Sequence, residues 1–92
     1  MAEVRIKNYM EECVSDMLDG VLEEIHACAC ERCRYDITAI ALNSLPAKYV
    51  VTKRGQLYTK LNALQQQFYV DIIAAITKAA VIVGRAPHHG SE

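Results

Sequence analysis

Residues 58–83, YTKLNALQQQFYVDIIAAITKAAVIV, decide how this chain packs. Leu61, Leu64, Phe68, Ile72, Ala75, Ile76, Ala79, Ala80 and Val83 recur at spacings of three and four, the signature of one buried helix face. Ile73, Val81 and Ile82 add apolar surface on other faces. A single helix of about 26 residues would be roughly 39 Å long. The remaining chain has too little helix to cover such a rod. The pattern therefore predicts a second chain, through two-fold pairing of the long helices.

Upstream, residues 3–26 read as a helix. Tyr9, Met10, Cys13, Val14, Met17, Leu18, Val21, Leu22 and Ile25 form its apolar stripe, with acids on the other face. Gly20 inside it costs about 1 kcal/mol against Ala. Close approach of another helix would explain the glycine, and so would tolerance. Residues 34–45, RYDITAIALNSL, read as a shorter helix with Ile37, Ile40, Ala41 and Leu45 on its stripe. Pro46 ends it, because the residue before a proline leaves the helical region. In residues 48–60, KYVVTKRGQLYTK, the β-branched run and Gly55 suggest a minimal hairpin or an extended arm that pairs with another chain. The fold class expected is mainly α: a three-helix subunit with a short arm or hairpin, pairing as a two-fold homodimer. Residues 1–85 would be a single domain. The tail GRAPHHGSE is expected to fray after Gly84, with His88 and His89 disordered in preference to holding a metal.

At 92 residues the chain buries only about 60–65% of its unfolded surface, so the core alone is marginal. Small domains often add a metal, a disulfide or a partner chain. No apolar run reaches the roughly 20 residues of a membrane span, and the N-terminus lacks the apolar segment of a secretory signal. The cytoplasm is the default, where cysteines are mostly reduced, metal-bound or catalytic. Charge is unevenly spread. Residues 1–31 carry two bases against eight acids, whereas residues 32–62 carry six bases against Asp36 alone. This asymmetry points to a local anion site in the middle third.

Residues 26–36, HACACERCRYD, place Cys28, Cys30 and Cys33 within six residues. Thiolates this close suit zinc, which takes four sulfur or nitrogen ligands in a tetrahedron. The fourth position is open to His26, to a partner chain or to water. Cys13 lies roughly 20 Å away if the helix is continuous, and it sits in the apolar stripe, where a cysteine is usually a small core residue. Two other readings stay open. In one, CERC enters a helix N-terminus, which lowers a thiol pKa and permits redox chemistry; in the other, the cysteines are corner packing alone. A disulfide within C-x-C would be strained.

CACERCRYDITAIALNSLPAKYVVTKRGQLY, continued by LQQQFYVDIIAAITKAAVIV, resembles the late competence protein ComFB family over roughly residues 3–85. The resemblance implies a small, mostly helical homodimer with zinc on the clustered cysteines. It also implies kinship with bacterial receptors for cyclic-di-GMP, and links to competence, motility and type IV pilus control through a protein partner. Position 47 is Ala where the family often has a second proline. A two-fold dimer could present one patch to each half of a two-fold dinucleotide. Arginine gives bidentate contacts to phosphate and can reach or stack on guanine. The candidate ligand-binding residues are Arg32, Arg34, Asp36, Asn43, Lys48, Tyr49, Arg54 and Tyr58. The other reading is a zinc-stabilised interaction adaptor with no nucleotide ligand. An enzyme is not expected, since the chain has no Gly-rich phosphate loop and no nucleophile–base–orienter set. Direct nucleic-acid binding is not expected either, for want of a basic recognition helix.

Overall fold

The computed structural model describes residues 4–53 and 57–85. Among them the elements run β1 (Val4–Asn8), α1 (Tyr9–Glu24), α2 (Glu31–Ser44), β2 (Tyr49–Lys53), α3 (Leu57–Gln67) and α4 (Tyr69–Arg85). The architecture is mainly helical with a small antiparallel ribbon. It has four helices where three were expected.

The first helix begins at Tyr9, not at residue 3. Val4 to Asn8 are extended, and Asn8 is the reason for the change. Its φ and ψ of −80° and 98° are those of a strand end. Its Oδ1 accepts from the Met10 backbone N–H at 3.2 Å, capping α1, and from the Lys48 N–H at 2.8 Å. Tyr9 N–H donates to the Lys48 carbonyl at 2.8 Å. One side chain thus ends β1, starts α1 and fixes the approach to β2. Glu11 and Glu12 in the first turn suit the positive end of the helix dipole. The Lys7 ammonium holds Glu12 at 2.6 Å, and this bond raises its pKa. β2 pairs with β1 in register Val4 to Lys53 through Asn8 to Tyr49. The extended arm is therefore paired with its own chain's N-terminal segment. The turn expected at Gly55 lies outside the described residues.

α1 closes with a Schellman turn. Ala27 N–H donates to the Leu22 carbonyl at 2.9 Å and His26 N–H to that of Glu23 at 3.2 Å. His26 occupies the left-handed position with φ 57°. α2 then starts at Glu31, three residues earlier than its apolar stripe suggests, because Cys30 is its N-cap. It ends as expected before Pro46, with Leu45 extended.

The single helix expected over 58–83 is two helices, bent by 75° at Phe68. The apolar spacing continues through Leu64, Phe68 and Ile72, and backbone bonds link these three in turn at 2.9 and 2.8 Å. No proline or glycine marks the break. Packing supplies it: the bend lays Leu61, Leu64 and Phe68 on the core while α4 runs along α2 and α1. The core joins Met10, Cys13, Val14, Leu18 and Leu22 of α1 to Cys33, Ile37 and Ala41 of α2 and to the inner face of α4. Ala41, Ala75, Ala79 and Ala80 keep α2 and α4 close. Among the described residues no single helix is long and apolar enough to cross a membrane. A Cβ at Gly20 would meet nothing within 4 Å, although the residue lines a groove with Tyr69, Ile73 and Thr77 of α4, so tight helix contact does not account for this glycine. Tolerance is its explanation within one chain.

Candidate metal centre

Three local decisions bring the thiols together. The left-handed turn at His26 reverses the chain after α1. Cys30, extended at φ −68° and ψ 162°, caps α2, and its Sγ accepts from the Cys33 N–H at 3.5 Å. Cys33, one turn in, points to the core and is buried. The Sγ atoms of Cys28, Cys30 and Cys33 all lie within 4.8 Å of one another. Tetrahedral zinc with Zn–S bonds of 2.3 Å needs sulfurs about 3.8 Å apart, so small side-chain rotations suffice. This donor set could hold a metal ion. In the metal-free chain burial, then hydrogen bonds with Cys30 and Cys28, push the Cys33 thiol up to about 12. Metal binding must therefore displace its proton, and the N-terminus of α2 favours the resulting thiolates.

His26 is not part of this group, although it is only two residues from Cys28. Its left-handed backbone serves the end of α1. Cys13 is also elsewhere, fully buried in the core between the helices. A cavity of about 170 Å³ adjoins Cys28 and Cys33 and is lined also by Ile37 of α2 and by Ala80, Val83 and Gly84 of α4.

The candidate nucleotide-binding residues fall into two groups. Arg32, Arg34 and Asp36 occupy the first turns of α2, at the thiol end. Arg32 Nε donates to Asp36 at 3.4 Å, and Arg34 pairs with Asp19 of α1. Asn43 lies at the other end of α2, roughly 16 Å from Arg32 by helical rise, and Lys48 and Tyr49 follow beyond that end. Lys48 has its Nζ 4.9 Å from the centre of the Phe68 ring, and Tyr49 is exposed on β2. Arg54 lies outside the described residues. Tyr58 falls within α3, but its side chain lies outside them too. Sequence reasoning missed Tyr35, which follows Arg34 and is 68% exposed. With Ser15, Glu31, Arg34 and Thr38 it lines an open groove of about 660 Å³ between α1 and α2. An aromatic on the polar face of a helix, beside arginine, was the available signal.

Known proteins bear on this arrangement. The family profile described as late competence development protein ComFB matches residues 7–87. The competence protein ComFB of Bacillus subtilis (strain 168) is 27% identical over 81 residues, which cover 87% of this chain and 83% of that protein. A solved structure, described as the structural characterization of the late competence protein ComFB from Bacillus subtilis, superposes with a TM-score of 0.76. It is 25% identical, and the match covers 96% of this chain and all of that one. With the thiol cluster, the helical order and the match spanning nearly its whole length, this chain belongs to the late competence development protein ComFB family.

Proposed function

We propose that this chain is a zinc-stabilised, non-enzymatic binding module that works as a homodimer in the cytoplasm by contact with a protein partner. The observation that carries the metal is the convergence of Cys28, Cys30 and Cys33 within 4.8 Å. Zinc there would tie the α1–α2 connection to the start of α2. That is a large contribution in a chain with so small a core. A reducing compartment keeps such thiols available. Pairing is supported by bare apolar surface. Val4, Ile6, Tyr49 and Val51 share one face of the ribbon by its register, and each is at least 59% exposed. Val70, Val81 and Ile82 are exposed along α4. Zinc titration of the reduced chain tests the metal: one equivalent should bind tightly, and Cys28→Ser should weaken binding sharply. Equal binding by the variant would reject the assignment.

Reception of cyclic-di-GMP is the second reading, favoured by one grouping. Arg34 and Tyr35 line an open groove, and Arg32 stands in the same first turns of α2. Guanidinium groups suit its phosphates and an exposed ring suits guanine stacking. The phosphates would have to draw Arg32 and Arg34 away from Asp36 and Asp19. Calorimetric titration of the zinc-loaded protein decides this reading. Saturable heat that disappears in Arg32→Ala/Arg34→Ala supports it. No heat with folded protein at high micromolar ligand rejects it.

A further inference from the structure

α1 and α4 leave between them an open groove of about 410 Å³, separate from the one lined by Tyr35. Met17, Val21 and Ile25 of α1 and Tyr69 and Ile73 of α4 give it an apolar lining. Ile25 and Tyr69 are 37% and 54% exposed, so apolar surface stays open to water here. Asp16, Gly20 and Glu24 follow at four-residue spacing and form one exposed row of α1 beside that lining. No basic residue lines the groove among the described residues. α1 as a whole carries six acids and no base. Lys7 answers Glu12 and Arg34 answers Asp19, neither of which lines the groove. Asp16 accepts from the neutral amide of Gln65 at 2.8 Å, which leaves its charge in place. Glu23 and Glu24 stand at the negative end of the helix dipole, with no base in the last turn. Within one chain that placement is unfavourable. So is a mid-helix glycine whose missing Cβ would meet nothing within 4 Å. A cationic occupant lying over Gly20 would balance the charges and use the space.

Resting on the partner-binding reading above, we propose that this groove seats a basic amphipathic helix of the protein partner. Apolar side chains three or four residues apart on that helix enter the groove beside Met17, Val21 and Ile73. Lysine or arginine on its flank meets Asp16 and Glu24, which are about 12 Å apart by helical rise. Gly20, midway between the two carboxylates, lets the partner's backbone come close. Met17 adapts its shape to the entering side chains. A second copy of this chain is a poorer occupant. Two-fold pairing at this face would set the acids of one α1 against those of the other. The same row of carboxylates repels nucleic acid and anionic lipid.

The test uses the full chain in the presence of zinc and a labelled peptide of about 18 leucine and lysine residues, patterned as an amphipathic helix. Fluorescence anisotropy follows binding, and a peptide with glutamate for every lysine is the control. The lysine peptide should bind at least about tenfold more tightly than the glutamate peptide, and its binding should weaken as salt rises. Asp16→Lys/Glu24→Lys should weaken the lysine peptide at least about tenfold and strengthen the glutamate peptide. Gly20→Leu, which fills the space over α1, should weaken the lysine peptide too. On the unsubstituted protein, amide NMR shifts caused by the lysine peptide should centre on residues 16–25 and 69–77. This measurement stands whether or not the variants fold well. Equal binding of the two peptides, or lysine-peptide binding that neither variant changes, would overturn the groove proposal. So would shifts in the groove that follow protein concentration without peptide, which would assign the face to a second copy. Saturable binding with shifts centred on another surface would overturn the groove and keep the partner reading. No saturable binding of either peptide by the folded chain would count against both.

Discussion

Cys13 and the three clustered cysteines share a side chain and little else. Cys13 is enclosed by the core, and burial, then Asp16 and Glu12, raise its thiol above the ordinary 9.0. In the unfolded chain the same thiol ionises near that value. Above it the unfolded state therefore holds fewer protons than the folded one, and stability falls as pH rises. Below it the contribution is fully present. Chemical unfolding of the metal-free protein between pH 8 and 10 should show this decline. Cys13→Ala should make it shallower, and a residual slope of the same sign should remain from Cys33. An unchanged slope would mean that Cys13 ionises freely in the folded state. His26 gives a second residue-level expectation. A non-glycine residue in the left-handed region costs about 1–2 kcal/mol, partly offset by the extra freedom glycine has when unfolded. His26→Gly should thus raise stability by about 0.5–1 kcal/mol in denaturant titration. A loss instead would mean that the imidazole makes a contact the fold needs.

Among the elements, the helices with strong periodicity were legible and the starts of α1 and α2 were not. The stripe from Tyr9 to Leu22 and the stop at Pro46 were read directly from spacing and proline chemistry. The start of α1 was missed although its marks were present. Val4 and Ile6 alternate with charged residues, and Asn8 stands three before Glu11, the pattern of a capped helix start. The break at Phe68 left no mark at all, because the apolar spacing runs through it and tertiary packing imposes the bend. The thiol group was legible because its three members are neighbours in the chain. The split of the basic residues between the two ends of α2 was not, since charge counts carry no position along a helix. Gly20 belongs at this scale too. It lies mid-helix on the exposed side of α1 with open space around its α-carbon. Gly20→Ala should raise stability by about 1 kcal/mol, read as a higher denaturant midpoint. A loss in the assembled protein would mean that a second chain packs closely there.

The whole molecule is longer than its residue count requires. Its radius of gyration is 14.4 Å, and its extents are 48 × 28 × 20 Å. A compact chain of this length would have a radius near 12 Å by the usual scaling. A two-stranded ribbon is marginal on its own in water, and here it keeps an apolar face bare. Residues 58–83 form two bent helices in place of one long rod, so the surfaces open to pairing are this face and the outer side of α4. Sedimentation at micromolar concentration should give twice the mass of the 10.3 kDa chain. A folded single subunit would end the pairing proposal.

The most direct check on the metal centre is thermal unfolding of the reduced protein, with zinc content measured by mass spectrometry before and after chelation. One zinc per chain and a fall in melting temperature of more than about 5 °C when it is stripped, equivalent to roughly 1 kcal/mol in so small a domain, is the result expected. A protein that holds no zinc when offered it, and melts at the same temperature with and without chelator, would contradict the account at its base.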